Sequence, residues 1–363
     1  MNNSFHHLLK LTSKIFLSTV LALVFGAMCL ASSLQAATVT AAQPQFRVKA
    51  QWNIGGEGGW GFLVLDASAH RLYIPRTNRV MVVDSDTGKP VGEVEGMKNI
   101  RDVALDNSGR YGYATDVTDG SAGFVRVFDR STLKLVASVP TGAIPNAIVF
   151  DPSSQSVFVF NSRGRSATVI DAVTNEVTAT IRLSGRPGSA IGDGNGMVFV
   201  ALPASGEITR IDAGAKKIAA SWRLGSCTGP SGLAIDSARH QLFTTCEDHS
   251  LVAVEAGTGH VINIGQVPPG AGDIDFAPKQ NLIFVADVDG TLSIFHRESP
   301  SRYARVQQVK TQPGARTMTA GHQGSKAYLV TSKYGQNTAS TSEELQFRPT
   351  PVPGTFSVIV VER

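Results

Sequence analysis

The sequence predicts an all-β fold: a closed ring of seven blades, each a sheet of four antiparallel strands. Three observations carry the prediction. One is a strand ending in an acidic residue that recurs along the chain. The second is the even spacing of equivalent strand ends at Asp84, Asp129, Asp171, Asp212, Glu255 and His296, which gives intervals of 45, 42, 41, 43 and 41 residues. The third is composition: 36 glycines and only 17% charged residues in 363 suit short strands and tight turns better than helices.

The elements follow in order. Lys10 and Lys14 precede the uncharged run IFLSTVLALVFGAMCL (residues 15–30), and the small residues of SSLQAA come next. This reads as a secretory signal peptide over residues 1–37, cut near Ala36 or Ala37. An uncleaved anchor is the alternative, because the apolar run approaches spanning length. No later stretch could span a bilayer, so no membrane association is expected after cleavage, and the mature chain is expected in the periplasm or outside the cell. The segment holds two lysines and no acid, so its removal takes the formal net charge from +4 to 4 − 2 = +2. That bias is too small to imply nucleic acid or an anionic membrane as partner. Residues 38–45 form a short linker, and 46–363 form the ring.

Within the ring, a first strand closes as LVLD, VALD, IVFD, AIGD and LAID at Asp66, Asp106, Asp151, Asp193 and Asp236. A second strand follows each (RLYIP, YGYAT, SVFVF, MVFVA, QLFTT), and a third ends at the six positions above. A turn and an alternating fourth strand such as EVTATIRL complete the unit. Four strands per repeat of this length make a propeller blade. Six full blades begin near Gly59, Asn99, Asn146, Ser189, Ser231 and Asp273. The seventh begins at Arg316 and has three strands, and FRVKAQWNI (residues 46–54) supplies its fourth, leaving no open edge. The third-strand acids cap their turns with their own side chains. DVDG (287–290) is expected as a hairpin turn and not a calcium loop. Cys29 leaves with the signal peptide. Cys227 and Cys246 remain as an even pair in an oxidising compartment, so a disulfide is the default; a redox pair or soft-metal site is the alternative. Closing a loop across 19 residues is worth about 3 kcal/mol in the chain-entropy model.

The run VIDAVTNEVTATIRLSG, with VFVF and LFTTCED before similar turns, resembles the YVTN-type repeat family of secreted bacterial propellers across residues 46–363. GGEGGW, KTQPGARTM and PGTFSVIVVER resemble one bacterial subgroup of it. The resemblance implies a seven-bladed ring and not a single reaction. The sequence departs from the subgroup at Gly61, where an acidic residue after the tryptophan is expected.

In such a ring the innermost strands line a central channel. The loops entering them share one rim with the loops joining second to third strands. That rim is expected to carry Glu57, Trp60, Arg76, Arg101, Asn146, Arg163, Arg186, Ser231, His249, Asp273 and Arg316. Convergent polar groups beside an aromatic wall define the default binding site, and arginines favour carboxylate or phosphate. The function expected is binding of a small polar or anionic ligand, or of a protein partner, with no cofactor and with nucleic acid disfavoured. A metal-dependent, lactonase-like hydrolase is the alternative. Glu57, Asn146 and Asp273 would then hold one divalent cation, calcium or magnesium, through oxygen. There is no GxSxG, HExxH or CxxCH, which disfavours nucleophile-and-base hydrolysis and attached haem. His70, His240 and His260 fall on the opposite face. The connection at 334–354, YGQNTASTSEELQFRPTPVPG, is long for a propeller and is expected to act as a flap beside the mouth, with a mobile insertion as the alternative.

Overall fold

A computed structural model describes residues 45–321, 323–335 and 351–363. The signal segment, the linker up to residue 44 and most of the long connection lie outside the described residues. The described chain is a seven-bladed β-propeller of seven four-stranded antiparallel sheets. The innermost strands are Val64–Asp66, Ile100–Leu105, Pro145–Asp151, Ala190–Gly192, Leu233–Asp236, Ala271–Ala277 and Thr317–Ala320, one per blade.

Strand position decides side-chain chemistry. Second strands are covered on both faces by neighbouring blades and read as continuous apolar runs; Ser156–Asn161 is buried throughout. Outermost strands have one wet face, and Lys134–Thr141 alternates accordingly. In the first six blades the pairing of third with fourth strand slips in register, at the same place in five of them, as between Val82 and Val83 and between Ile294 and Phe295, and two residues earlier in the fifth, between Leu251 and Val252. Such bulges raise the local strand twist.

The ring closes as the sequence predicts. Arg47–Asn53 pairs antiparallel with Ser357–Glu362, from Arg47 opposite Glu362 to Asn53 opposite Ser357. The core lies between blades and not within them. At the closing seam Leu72, Ile74 and Met81 of the first blade pack with Tyr328, Val330 and Val358 of the seventh.

The recurrent acids divide into two structural jobs. Third-strand Asp84, Asp129 and Asp171 each accept backbone N–H groups two and three residues on, which caps the turn. First-strand acids tie blades together. Arg130 of the second blade bonds Asp66 of the first and Asp106 of its own. Arg297 of the sixth blade reaches Asp236 of the fifth at 2.8 Å. The hairpin at 287–290 forms with Gly290 N–H donating to the Asp287 carbonyl. Cys227 and Cys246 are joined by a disulfide. His70 and His240 stand in turns in the left-handed backbone region, and His70 pairs with Asp86 at 2.6 Å.

Candidate functional site

The innermost strands all reach one mouth, and what stands there follows from how each entering loop is held. The segment IGGEGGW is not slack. Arg76 ends the second strand of the first blade, is fully buried, and donates to the carbonyls of Gly55, Glu57, Gly58 and Gly59. Its guanidinium also lies over the Phe356 ring, 3.8 Å from the centroid. Desolvation pulls its pKa down to about 10, which leaves it charged at neutral pH. The loop is thereby pinned from below and Glu57 is left exposed.

Gly61 explains itself. A Cβ there would overlap the carbonyl of Arg101, and the next residue, Phe62, donates its N–H to that same carbonyl at 3.0 Å. The acidic residue expected at 61 by family resemblance has no room. The device is repeated at the junction of blades six and seven. A Cβ on Gly272 would overlap the Arg316 carbonyl, and Asp273 N–H donates to it at 2.9 Å. Both arginines are thus fixed through their backbone. Their side chains are exposed, and no hydrogen bond or ion pair engages either among the described residues.

Trp60, Arg101, Asn146, Ser231, Asp273 and Arg316 line one cavity of about 320 Å³, with Ser189 completing a contribution from every blade. The other expected rim residues are not among its lining. Arg76 lies buried beneath the entering loop, and Glu57, Arg163, Arg186 and His249 are exposed elsewhere. Asn146 and Asp273 share the cavity without Glu57, so the three proposed metal ligands are not gathered at this cavity. Among the described residues no group of three or more His, Cys, Asp or Glu is placed to hold a metal ion.

A second cavity of about 500 Å³ adjoins the first along the channel and shares Phe62, Ser189, Gly232 and Asp273 with it. It brings in Asp102 and Asp275, which sequence reasoning missed. Their signal was present: both stand on innermost strands, where every second residue faces the channel. Asp102 accepts N–H bonds from Val103 and, across the blade boundary, from Ile148. Asp273 accepts from Met318 at 3.0 Å and Asp275 from Ala320 at 2.8 Å, stitching blade six to blade seven. Water reaches part of Asp102 and Asp273, yet protein surrounds them. Desolvation pushes both carboxyls up to about 7; the charge of Asp273 adds to the rise at Asp102, and that of Asp275 to the rise at Asp273. The Met318 N–H and the Arg316 guanidinium oppose the rise at Asp273.

Solved structures with this architecture include hydrazine synthase of Kuenenia stuttgartiensis (TM-score 0.63, 16% identity, 74% of this chain and 91% of that one). U3-55K (TM-score 0.69, 8% identity, 86% and 98%) and the RRP9 WD40 repeats (TM-score 0.69, 8% identity, 87% and 97%) share it as well. At such identities the likeness shows the fold, and the chain belongs to the class of seven-bladed β-propellers. No family model matches it. A peptidoglycan-associated lipoprotein of Legionella pneumophila is 34% identical over 96 residues, 26% of this chain and 52% of that protein, so the chain spans about half the length of the curated relative it matches.

Proposed function

We propose that this chain is an exported binding protein whose channel mouth takes a small polar or anionic ligand, or a partner that presents such a group. One observation carries the reading. Seven blades converge on one cavity of about 320 Å³, and the two guanidiniums that line it are unpaired among the described residues. That volume lies at the lower end of the range for small-molecule sites, about 300–1,000 Å³. Arginine presents paired N–H groups that suit a carboxylate or phosphate. Membership of the YVTN-type secreted propellers and a periplasmic or extracellular location belong to the same reading. The signal-like N-terminus supports that location, as does the stretch shared with a lipoprotein.

The test is calorimetric titration of the mature chain with a panel of small carboxylates and phosphates, beside the Arg101→Ala/Arg316→Ala double variant. Saturable binding by the parent that the double variant loses supports the reading. Equal titration curves for the two proteins overturn it.

A further inference from the structure

We infer that the ligand of the mouth is a sugar acid, a hydroxylated ring bearing a carboxylate, with the ring against Trp60 and the carboxylate on Arg101 or Arg316. The inference rests on the mouth being a ligand site and narrows the chemistry of what it takes.

The mouth is asymmetric. Arg101 and Arg316 belong to the second and seventh blades, which flank the first, and the first supplies Trp60. Cation, aromatic and cation therefore stand side by side along one arc. The glycine device described above holds both arginine carbonyls in the same way, so the pair is presented by rigid backbone and not by mobile loops. Trp60 is half-buried, packed on Phe356 with ring centroids 5.4 Å apart. A braced indole loses little entropy when a ligand covers it.

Among the described residues the opposite arc of the cavity lining carries no charge. Blades three, four and five give Asn146, Ser189 and Ser231. The side chains of Asn146 and Ser189 make no hydrogen bond among the described residues, and Ser231 Oγ shares one with Thr245 at 2.7 Å. Asp273, beside Arg316, has one carboxyl oxygen on the Met318 N–H, and the other can accept. Amide, hydroxyl and carboxyl groups set around a small cavity match ligand hydroxyls, each of which donates and accepts.

Competing chemistries fit less well. An apolar acid would satisfy the arginines but leave Asn146 and Ser189 desolvated without partners, which costs affinity. A phosphate-rich ligand would bring several negative charges against Asp273 and Asp102, and among the described residues no lysine lines the cavity to offset them. A neutral sugar would leave Arg101 without a counter-charge and Arg316 with Asp273 alone.

The test is calorimetric titration of the mature chain with glucuronate, glucose, citrate and glucose 6-phosphate. Glucuronate is expected to bind saturably and glucose at least tenfold more weakly. Arg101→Ala and Arg316→Ala should each weaken glucuronate about tenfold, and Trp60→Ala by a similar factor. Trp60→Phe keeps a ring and should recover most of the loss, which serves if Trp60→Ala fails to fold. Citrate or glucose 6-phosphate binding as tightly as glucuronate, with Trp60→Phe and Trp60→Ala both silent, would overturn the sugar acid and leave the anion site standing. Binding of none of the four by the folded parent would overturn this inference; if the wider panel of carboxylates and phosphates also failed, the binding-site reading would fall with it.

Discussion

Arg76 and the pair Arg101 and Arg316 stand at the same end of the ring and are used in opposite ways. For Arg76 the fold buries the side chain, and its guanidinium holds four carbonyls of the glycine loop. For Arg101 and Arg316 the fold holds the backbone carbonyl, and the side chain is left in the mouth. One arginine is spent on the backbone; the other two have their backbone held so that the side chain is available. Counting arginines on a rim therefore does not locate a site. What locates it is which end of the residue the structure holds.

The largest expected effect would break this comparison outright. Arg76→Ala removes a buried guanidinium and leaves the carbonyls of Gly55, Glu57, Gly58 and Gly59 short of donors. We expect a stability loss of about 3 kcal/mol, read from urea unfolding. Arg101→Ala should stay within about 0.5 kcal/mol of the parent while binding ligand more weakly. If the two variants unfold alike, the distinction between a structural and a presented arginine is wrong.

A smaller effect sharpens the comparison. Gly61→Ala puts a methyl group into the Arg101 carbonyl, and overpacking of this kind costs about 1–3 kcal/mol. Gly59→Ala is the control, because a Cβ there meets only the Thr77 hydroxyl at 4.0 Å. Gly61→Ala is expected to weaken ligand binding as well, although Arg101 is still present. Unchanged affinity in Gly61→Ala would mean that the held carbonyl does not set where the guanidinium stands.

The same contrast explains what the sequence could and could not say. The ring was legible because its signal is periodic. Strand ends recur at near-constant spacing, and the N-terminal strand fills the one gap in the count. Turn capping by Asp84, Asp129 and Asp171 was legible because it is local. The inter-blade ties were not: Arg130 lies 64 residues from Asp66 and Arg297 lies 61 from Asp236, and no local pattern pairs them. At the mouth, positions on or shortly before innermost strands line the cavity, because the strand carries them to the channel. Trp60, Arg101, Asn146, Ser231, Asp273 and Arg316 are of this kind. Glu57, Arg163, Arg186 and His249 sit further out on loops, and their direction depends on backbone detail. Examples are the carbonyls pinned by Arg76 and the left-handed conformation at His249. Arg76 itself was misplaced because the glycine loop it fastens lies seventeen to twenty-one residues before it.

Two aspartates repeat the lesson in the acids and give the smallest expected effect. Asp116 and Asp287 close or nearly close the second strands of the second and sixth blades, paired opposite Ile100 and Ala271. Both are fully buried. Asp116 has partners on both oxygens: the N–H groups of Lys98 and Asn99, and Arg126 at 2.9 Å. Asp287 has only a long contact to Ser293 Oγ at 3.5 Å, and its Oδ1 is unpartnered among the described residues. Desolvation therefore pushes Asp287 up from an ordinary 3.8 to about 7, with the charge of Asp289 adding to the rise. Its folded pKa is raised, so between about pH 4 and 7 the folded chain keeps a proton that the unfolded chain has released. Stability must fall as pH rises through that window, and the whole cost is present above it. Asp287→Asn supplies a neutral amide of the same shape. We expect it to raise stability at pH 8 by about 1–2 kcal/mol and to flatten the slope of stability between pH 4 and 7. Asp102 and Asp273 leave a residual slope of the same sign. Urea unfolding at pH 5 and pH 8 decides the matter: a variant no more stable than the parent at pH 8 would mean that the buried Asp287 carboxylate has found a partner for its charge.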